Sequence, residues 1–181
     1  MLSLEIPAME IWNPNTEEFI QFPGKKLELE HSLVSIYKWE SKWHVNFIGN
    51  KDLTKEMVTD YIKCMTITKG VDDSVYDFLT NENIKQVVDY IGDPMTATTF
   101  SNTQPKPASG KKITNELVYF WMTQFNIPFD PCEKWHFNRL WTLIRIAEVE
   151  LAPKKKMSKR DIYRRNDALN AARRAKAHSK G

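Results

Sequence analysis

The sequence has few cysteines, few glycines and no long hydrophobic run. Its two cysteines, Cys64 and Cys132, lie far apart in the 181 residues, which is too little for a disulfide framework and is typical of free thiols. With six glycines and neither a GxGxxG nor a P-loop pattern, the chain lacks a phosphate-cradling loop. No stretch approaches the ~20 apolar residues that cross a bilayer, so no membrane association is expected.

The beginning of the chain also lacks the pattern of a secretory signal. Residues 1–12 contain neither a basic segment nor a long apolar one, and both are needed for export. The expected location is therefore the cytoplasm of the cell in which the protein is made.

Residue patterns that perform chemistry are absent as well. The histidines never fall at paired metal-ligand spacing; they are His31, His44, His136 and His178. Cys132 and His136 are four residues apart, which favours packing on one helix face over a zinc site or a nucleophilic pair. The sequence therefore predicts no metal, no cofactor and no catalytic residue, and we do not expect an enzyme.

What the sequence does have is a sharp division of charge. Residues 153–181 contain eleven Lys and Arg against two Asp, a net charge of +9, whereas residues 1–152 carry 15 basic and 21 acidic residues, a net charge of −6. A basic segment on an acidic body predicts an acidic partner for that segment. Nucleic acid, another protein and the protein's own body all fit this description.

Hydrophobic periodicity predicts an α+β fold, with a small N-terminal antiparallel sheet of about three strands packed on a mainly α-helical body. Residues 1–31 alternate as strands, 32–92 show helical spacing, 93–112 have loop composition and 113–152 form aromatic-rich helices. Ser32 and Thr54 are predicted to cap helices, and Asp130, Pro131 and Glu133 to open another through a capping box. The body spans 1–152, and 153–181 form a basic helical tail.

Aromatic residues are concentrated in the predicted helices. A buried core explains most such concentrations, but tryptophan also anchors protein–protein interfaces. The possible interface aromatics are Trp39, Trp43, Trp121, Trp135 and Trp141.

The basic tail has a thin apolar face and gains little by packing on its own. It is therefore predicted to order against a partner. Its candidate partner-binding residues are Lys154, Lys155, Lys156, Lys159, Arg160, Ile162, Arg164, Arg165, Leu169, Arg173 and Arg174. Docking on an acidic protein groove explains the Ala and Leu content better than phosphate binding, although a non-specific nucleic-acid role for residues 154–176 stays open.

Five segments of the chain resemble a widespread and largely uncharacterised family of small proteins of long-tailed bacteriophages. They are KLELEHSLVSIYKWESKWHVNF (26–47), DYIKCMTIT (60–68), DPMTATTFS (93–101), FNIPFDPCEKWHFNRLWTLIR (125–145) and PKKKMSKRDIYRRNDALNAARRAK (153–176). The genes of that family lie among head and tail genes.

The resemblance implies a morphogenesis protein that acts through protein–protein contacts, first of all a tail assembly chaperone or accessory. A virion structural component of the head–tail or tail region is the alternative. The implied partners are other phage virion or tail proteins, with nucleic acid as a second possibility for the tail. The implied location is the host cytoplasm or, for a structural component, the virion. Neither the resemblance nor the residues indicate an oligomeric state.

Overall fold

The computed structural model describes residues 1–13, 17–50, 52–100, 112–151 and 159–177. It confirms the α+β class, because four short antiparallel strands precede a series of helices. The chain forms two compact units, Met1–Glu148 and Val149–Gly181. The predicted boundary between body and tail, at residue 152, lies outside the described residues.

The strands are β1 (Leu2–Ile6), β2 (Met9–Asn13), β3 (Glu18–Phe22) and β4 (Lys25–Leu29). They form two separate two-stranded pairs, β1 with β4 and β2 with β3. The expectation of a single sheet of about three strands was therefore wrong. One register nevertheless runs through both pairs, since Ile6 faces Lys25 and Met9 faces Phe22, as in one long hairpin.

Residues 7–8 and 23–24 separate the two strand pairs. Pro7 and Pro23 have no backbone N–H to donate, so the ladder of hydrogen bonds is interrupted there. Gly24 has a φ of +82°, a left-handed value that favours glycine. A Cβ atom on Gly24 would lie 3.0 Å from the backbone nitrogen of Ala8 and 3.1 Å from the carbonyl oxygen of Ile6. Position 24 therefore requires glycine for two reasons: the left-handed backbone conformation and the lack of space for a Cβ atom.

Seven α-helices and one 3₁₀ helix follow within the described ranges. The 3₁₀ helix is Asp73–Phe78. The α-helices are α1 (Leu33–Trp43), α2 (Lys55–Met65), α3 (Asn81–Gly92), α4 (Asn115–Gln124), α5 (Phe129–Cys132), α6 (Phe137–Leu151) and α7 (Lys159–Lys176).

The predicted helix starts at Ser32 and Thr54 are confirmed. The Ser32 side chain accepts a hydrogen bond from the backbone N–H of Ser35, and Thr54 accepts one from Met57. Such caps satisfy backbone donors that lack partners in the first turn. Helix α3 ends at Gly92.

The predicted capping box at Asp130 was wrong. Asp130 has an extended backbone inside the short helix α5, and the peptide bond to Pro131 is cis. Its carboxylate accepts from Lys134 Nζ at 2.5 Å, while the Glu133 N–H donates to the carbonyl of Phe129. The long helix of this region begins at Phe137 instead, because residues 133–136 turn between α5 and α6.

The core lies between the β1–β4 pair and the surrounding helices. Full burial of each such side chain stabilises the fold by roughly 1.5–3 kcal/mol. The largest fully buried side chains are Trp39, Leu4, Ile6, Leu27, Leu29, Leu33, Ile36, Ile62, Met65, Met122, Leu140 and Val87. Of the predicted loop 93–112, residues 93–100 have neither helix nor strand, and 101–111 lie outside the described residues.

Candidate protein-binding site

Trp39 is a core residue, which excludes it from the predicted interface aromatics. Its side chain is 0% exposed, and its indole N–H donates to the carbonyl of Met57 at 2.9 Å. This bond connects α1 to the first turn of α2. The i, i+4 spacing of Trp39 and Trp43 put them on one helix face, but it could not show which of them lies against α2.

Trp43 lies at the edge of the same interface, half-buried. Its indole N–H donates to Asp60 Oδ2 at 2.8 Å, and Lys42 forms an ion pair with the other oxygen of that carboxylate. An open cleft of about 690 Å³ lies here and combines three lysines with three acidic residues. Its charges balance, so neither an anionic nor a cationic ligand is indicated by this cleft.

Trp121 and Trp141 come together, on α4 and α6, and line a groove of about 240 Å³. Their ring centroids lie 5.6 Å apart, and both rings are half-buried. We call this the aromatic groove; its lining residues are Trp121, Phe125, Trp141, Ile144, Arg145 and Glu148. Small-molecule pockets usually occupy ~300–1,000 Å³, so the groove suits one large side chain of a partner protein.

Charge and aromatic contacts border the aromatic groove. The Arg145 guanidinium stacks over the Phe100 ring at 4.1 Å, which brings the described part of the loop onto α6. Trp135 does not line the groove; the Arg139 guanidinium stacks over its ring at 4.2 Å. Of the five tryptophans predicted as interface aromatics, the structure therefore assembles two into one surface, places one in the core and leaves Trp43 and Trp135 elsewhere.

The basic tail is represented by α7, in which every described residue is exposed. Ile162 and Leu169, 43% and 46% exposed, lie seven residues apart and thus on one face. Residues 159–177 contain seven Lys and Arg against two Asp. The predicted contact residues Lys154, Lys155 and Lys156 lie outside the described ranges.

A buried polar cluster accounts for two of the four histidines. His31 Nδ1 and the Tyr61 hydroxyl are joined by a 2.5 Å hydrogen bond. His136 Nε2 donates to the carbonyl of Tyr90, and its Nδ1 accepts from the backbone N–H of Asn138. Burial lowers the pKa of both histidines, that of His31 to about 3 with His136 adding to the effect. Both rings are therefore neutral at pH 7. The hydrogen bond of His31 joins the β4–α1 connection to α2, and that of His136 joins the α5–α6 turn to α3.

The two cysteines are both free thiols. Burial raises the pKa of the Cys64 thiol to about 11 and also raises that of Cys132, so neither is a thiolate at neutral pH. Cys132 ends α5 while His136 precedes α6, and both ring nitrogens of His136 have backbone partners. The one Cys–His spacing in the sequence thus forms no nucleophilic pair. Among the described residues, no three His, Cys, Asp or Glu side chains converge on a metal position.

Sequence reasoning missed an exposed apolar surface on β2 and β3. Ile11 faces Ile20, and Trp12 faces Phe19 with ring centroids 5.0 Å apart. These side chains are 40–64% exposed. The available signal was that residues 7–24 contain three Glu and no Lys or Arg beside these apolar residues. Residues 1–31 were instead assigned as a whole to a sheet packed on the helical body.

Comparison with known proteins identifies no relative of this chain. Within the described ranges, no helix combines the length and apolar composition that a bilayer crossing requires. The chain matches no protein-family model, no curated protein and no solved structure.

Proposed function

We propose that this chain is a bacteriophage morphogenesis protein that acts through protein–protein contacts, as a tail assembly chaperone or accessory in the host cytoplasm. The phage assignment rests on the sequence resemblance. Action through contacts is supported by one observation above all: α7 is an 18-residue helix with no buried side chain. Helices in water owe most of their stability to packing of an apolar face. A helix of this kind is best explained as a docking element.

The aromatic groove supports the same proposal independently. Binding energy at protein interfaces is concentrated in a few aromatic and Arg side chains around small pockets. Trp121, Trp141 and Arg145 provide that combination. The groove would receive a large apolar side chain from a virion or tail protein, while α7 contacts an acidic surface.

Nucleic-acid binding by α7 is the second candidate, and one observation favours it. At 100° per residue, Arg160, Arg164 and Arg174 lie on one side of the helix, whereas Arg173 and Lys176 lie on the opposite side. Cations around the whole circumference of the helix suit binding to a phosphate backbone, because that binding depends on charge and not on apolar contacts. The acidic body opposes this reading, because it repels a polyanion.

The two candidates are separated by Leu169→Ser, measured in the full chain against double-stranded DNA and against the virion protein that co-purifies from infected cells. Docking on a protein would bury the exposed half of the Leu169 side chain, worth about 1 kcal/mol, or roughly a fivefold loss of affinity. Phosphate binding would be unaffected by this change and would weaken steeply with salt.

Ala171→Ser is the matched control. It introduces the same side chain on the opposite side of α7, so a general loss of helicity would affect both variants equally. Tight DNA binding that ignores Leu169, together with no virion partner, would replace the proposed function by the nucleic-acid alternative.

A further inference from the structure

The distal ribbon, which we define as β2 and β3, carries an apolar strip bordered by negative charge. Directly opposed residues of two strands share a face. Ile11 and Ile20 therefore share one face with Met9 and Phe22. Phe22 is buried, with its ring stacked on Phe78 at 4.3 Å between centroids, whereas both isoleucines are exposed.

The apolar strip ends in a hollow where the ribbon meets the interruption in the strands. The hollow measures about 460 Å³ and is lined by Ala8, Met9, Glu10, Gln21, Phe22 and Pro23. Ala8 precedes Ile11 by three residues, or about 10 Å of extended backbone. The strip thus offers two places for apolar side chains about 10 Å apart.

The charge of the distal ribbon selects its partner. Glu10, Glu17 and Glu18 are all exposed, and residues 7–24 contain no cation. A second ribbon would bring three like charges against three, which opposes pairing of two ribbons. A basic partner with apolar side chains is attracted by the same features.

Helix α7 has these features. Ile162 and Leu169 are separated by seven residues, or about 10 Å at the helical rise of 1.5 Å per residue. Arg173 lies one turn and Lys176 two turns beyond Leu169 on the same side. Spacing, apolar size and charge of α7 thus complement those of the distal ribbon.

We propose that α7 of one copy of this chain docks on the distal ribbon of a second copy. Ile162 and Leu169 enter the strip between Ile20 and the hollow, and the cations beside Leu169 face Glu18, which lies on the same face of the ribbon as Ile20. The inference rests on the proposed role of α7 as a docking helix and names an acidic surface that it contacts. Reciprocal docking in two copies gives a dimer with two equivalent contacts.

The test uses two full-length variants, each defective in one half of the contact. The ribbon variant is Glu18→Lys with Ile20→Ser, and the helix variant is Leu169→Ser with Arg173→Glu. All four side chains are exposed, so unchanged near-ultraviolet circular dichroism is expected for both. Ala171→Ser is the control on α7.

The wild-type protein and the control are expected to sediment as dimers at low salt, and the dimer should weaken at least tenfold from about 50 to 500 mM salt. Each variant alone should be monomeric. An equimolar mixture of the two should regain a dimer of mixed mass in native mass spectrometry, because the mixture retains one intact ribbon and one intact α7. A mixture that stays monomeric, a ribbon variant that still dimerises, or a monomeric wild-type protein would overturn the inference.

Binding of the co-purifying virion protein by the same variants separates this inference from the proposed function. The ribbon variant retains α7, which is no longer occupied by a second copy, and should bind that protein at least as tightly as the wild type does. If it binds the virion protein but the wild type never dimerises, the ribbon contact fails and the proposed function stands. If neither self-association nor virion-protein binding responds to the helix variant, the docking role of α7 fails, and this inference fails with it.

Discussion

The rings of His31 and His136 lie edge to face with their centroids 5.1 Å apart, in the buried region where β4 leads into α1 and α5 is followed by α6. The chain connects at the same place through backbone, since the Phe137 N–H donates to the carbonyl of His31 at 2.6 Å. Protonation of either ring would place a charge in a buried site, beside the other ring. The pair therefore links the stability of the fold to pH.

We predict that the free energy of unfolding falls as the pH drops below about 6.5. The folded state lowers the pKa of both histidines, that of His31 to about 3, so the unfolded state binds more protons in acid. The stability present above pH 6.5 is lost progressively toward pH 3. One histidine contributes a slope approaching about 1.4 kcal/mol per pH unit. Urea denaturation between pH 7 and 5 measures this slope before most carboxylates titrate.

His31→Gln should flatten that slope, whatever its effect on stability at pH 7. His44→Gln provides the control, because His44 is exposed. Equal slopes for the wild-type protein and His31→Gln would assign the acid sensitivity to other groups.

Gly24→Ala should destabilise the fold by roughly 1–3 kcal/mol. The substitution forces a side chain into a left-handed backbone and places its Cβ 3.0 Å from a backbone nitrogen that cannot move aside easily. Gly92→Ala is the matched control, since a Cβ there meets no atom within 4 Å, and alanine favours the helix. Chemical denaturation of both variants measures the difference; a neutral Gly24→Ala would contradict the geometry of the interruption.

Asn83→Ala should destabilise the fold, by about 1–3 kcal/mol. The buried Asn83 side chain accepts from the backbone N–H of Thr80 and donates to the carbonyl of Glu5 at 2.9 Å, so it both caps α3 and fastens it to β1. Removal of the Asn83 amide leaves buried groups without partners.

Asp130→Ala, by contrast, should leave the denaturation midpoint unchanged, because that carboxylate contacts an exposed lysine and caps no helix. If Asp130→Ala destabilised the fold more than Asn83→Ala, the result would instead support the capping box predicted from the sequence.

Trp121→Ala and Trp141→Ala should each weaken binding of the co-purifying virion protein at least tenfold, the usual cost of removing an anchoring aromatic. Phe120→Ala is the control, because Phe120 lies on the same helix, is 55% exposed and does not line the aromatic groove. Isothermal titration calorimetry gives the affinities, and thermal midpoints show whether the truncations also affect the core. Equal losses of affinity for all three variants would mean that the aromatic groove makes no specific contact with the partner and that the substitutions act only through stability.

Local signals predicted much of this fold. Alternating apolar residues located β1, and hydroxyl side chains before apolar stripes located the starts of α1 and α2. Pairing of strands depends on contacts that no local window contains, so the division into two pairs at Pro7 and Pro23 was missed. The Asp130 cap failed for another reason: a favourable sequence at a helix start does not fix the backbone. Asp130 is extended within α5, and residues 133–136 turn before α6 begins.

The candidate surfaces were predicted less completely than the fold. Trp121 and Trp141 stood out by residue type, but the groove between them depends on how α4 and α6 lie together. Burial of Trp39 follows from its contact with α2, which helical spacing alone does not reveal. The exposed face of the distal ribbon resembles an ordinary half-buried strand in sequence, because alternation does not show whether a second layer covers it.

The separation of ribbon and helix along one chain has a geometric consequence. In the proposed dimer each copy provides one ribbon surface and one docking helix, and the two differ in shape. Contacts of this heterologous kind stop at two copies if both are made reciprocally; otherwise the same contact closes a ring or extends an open helical array, according to the rotation between neighbours.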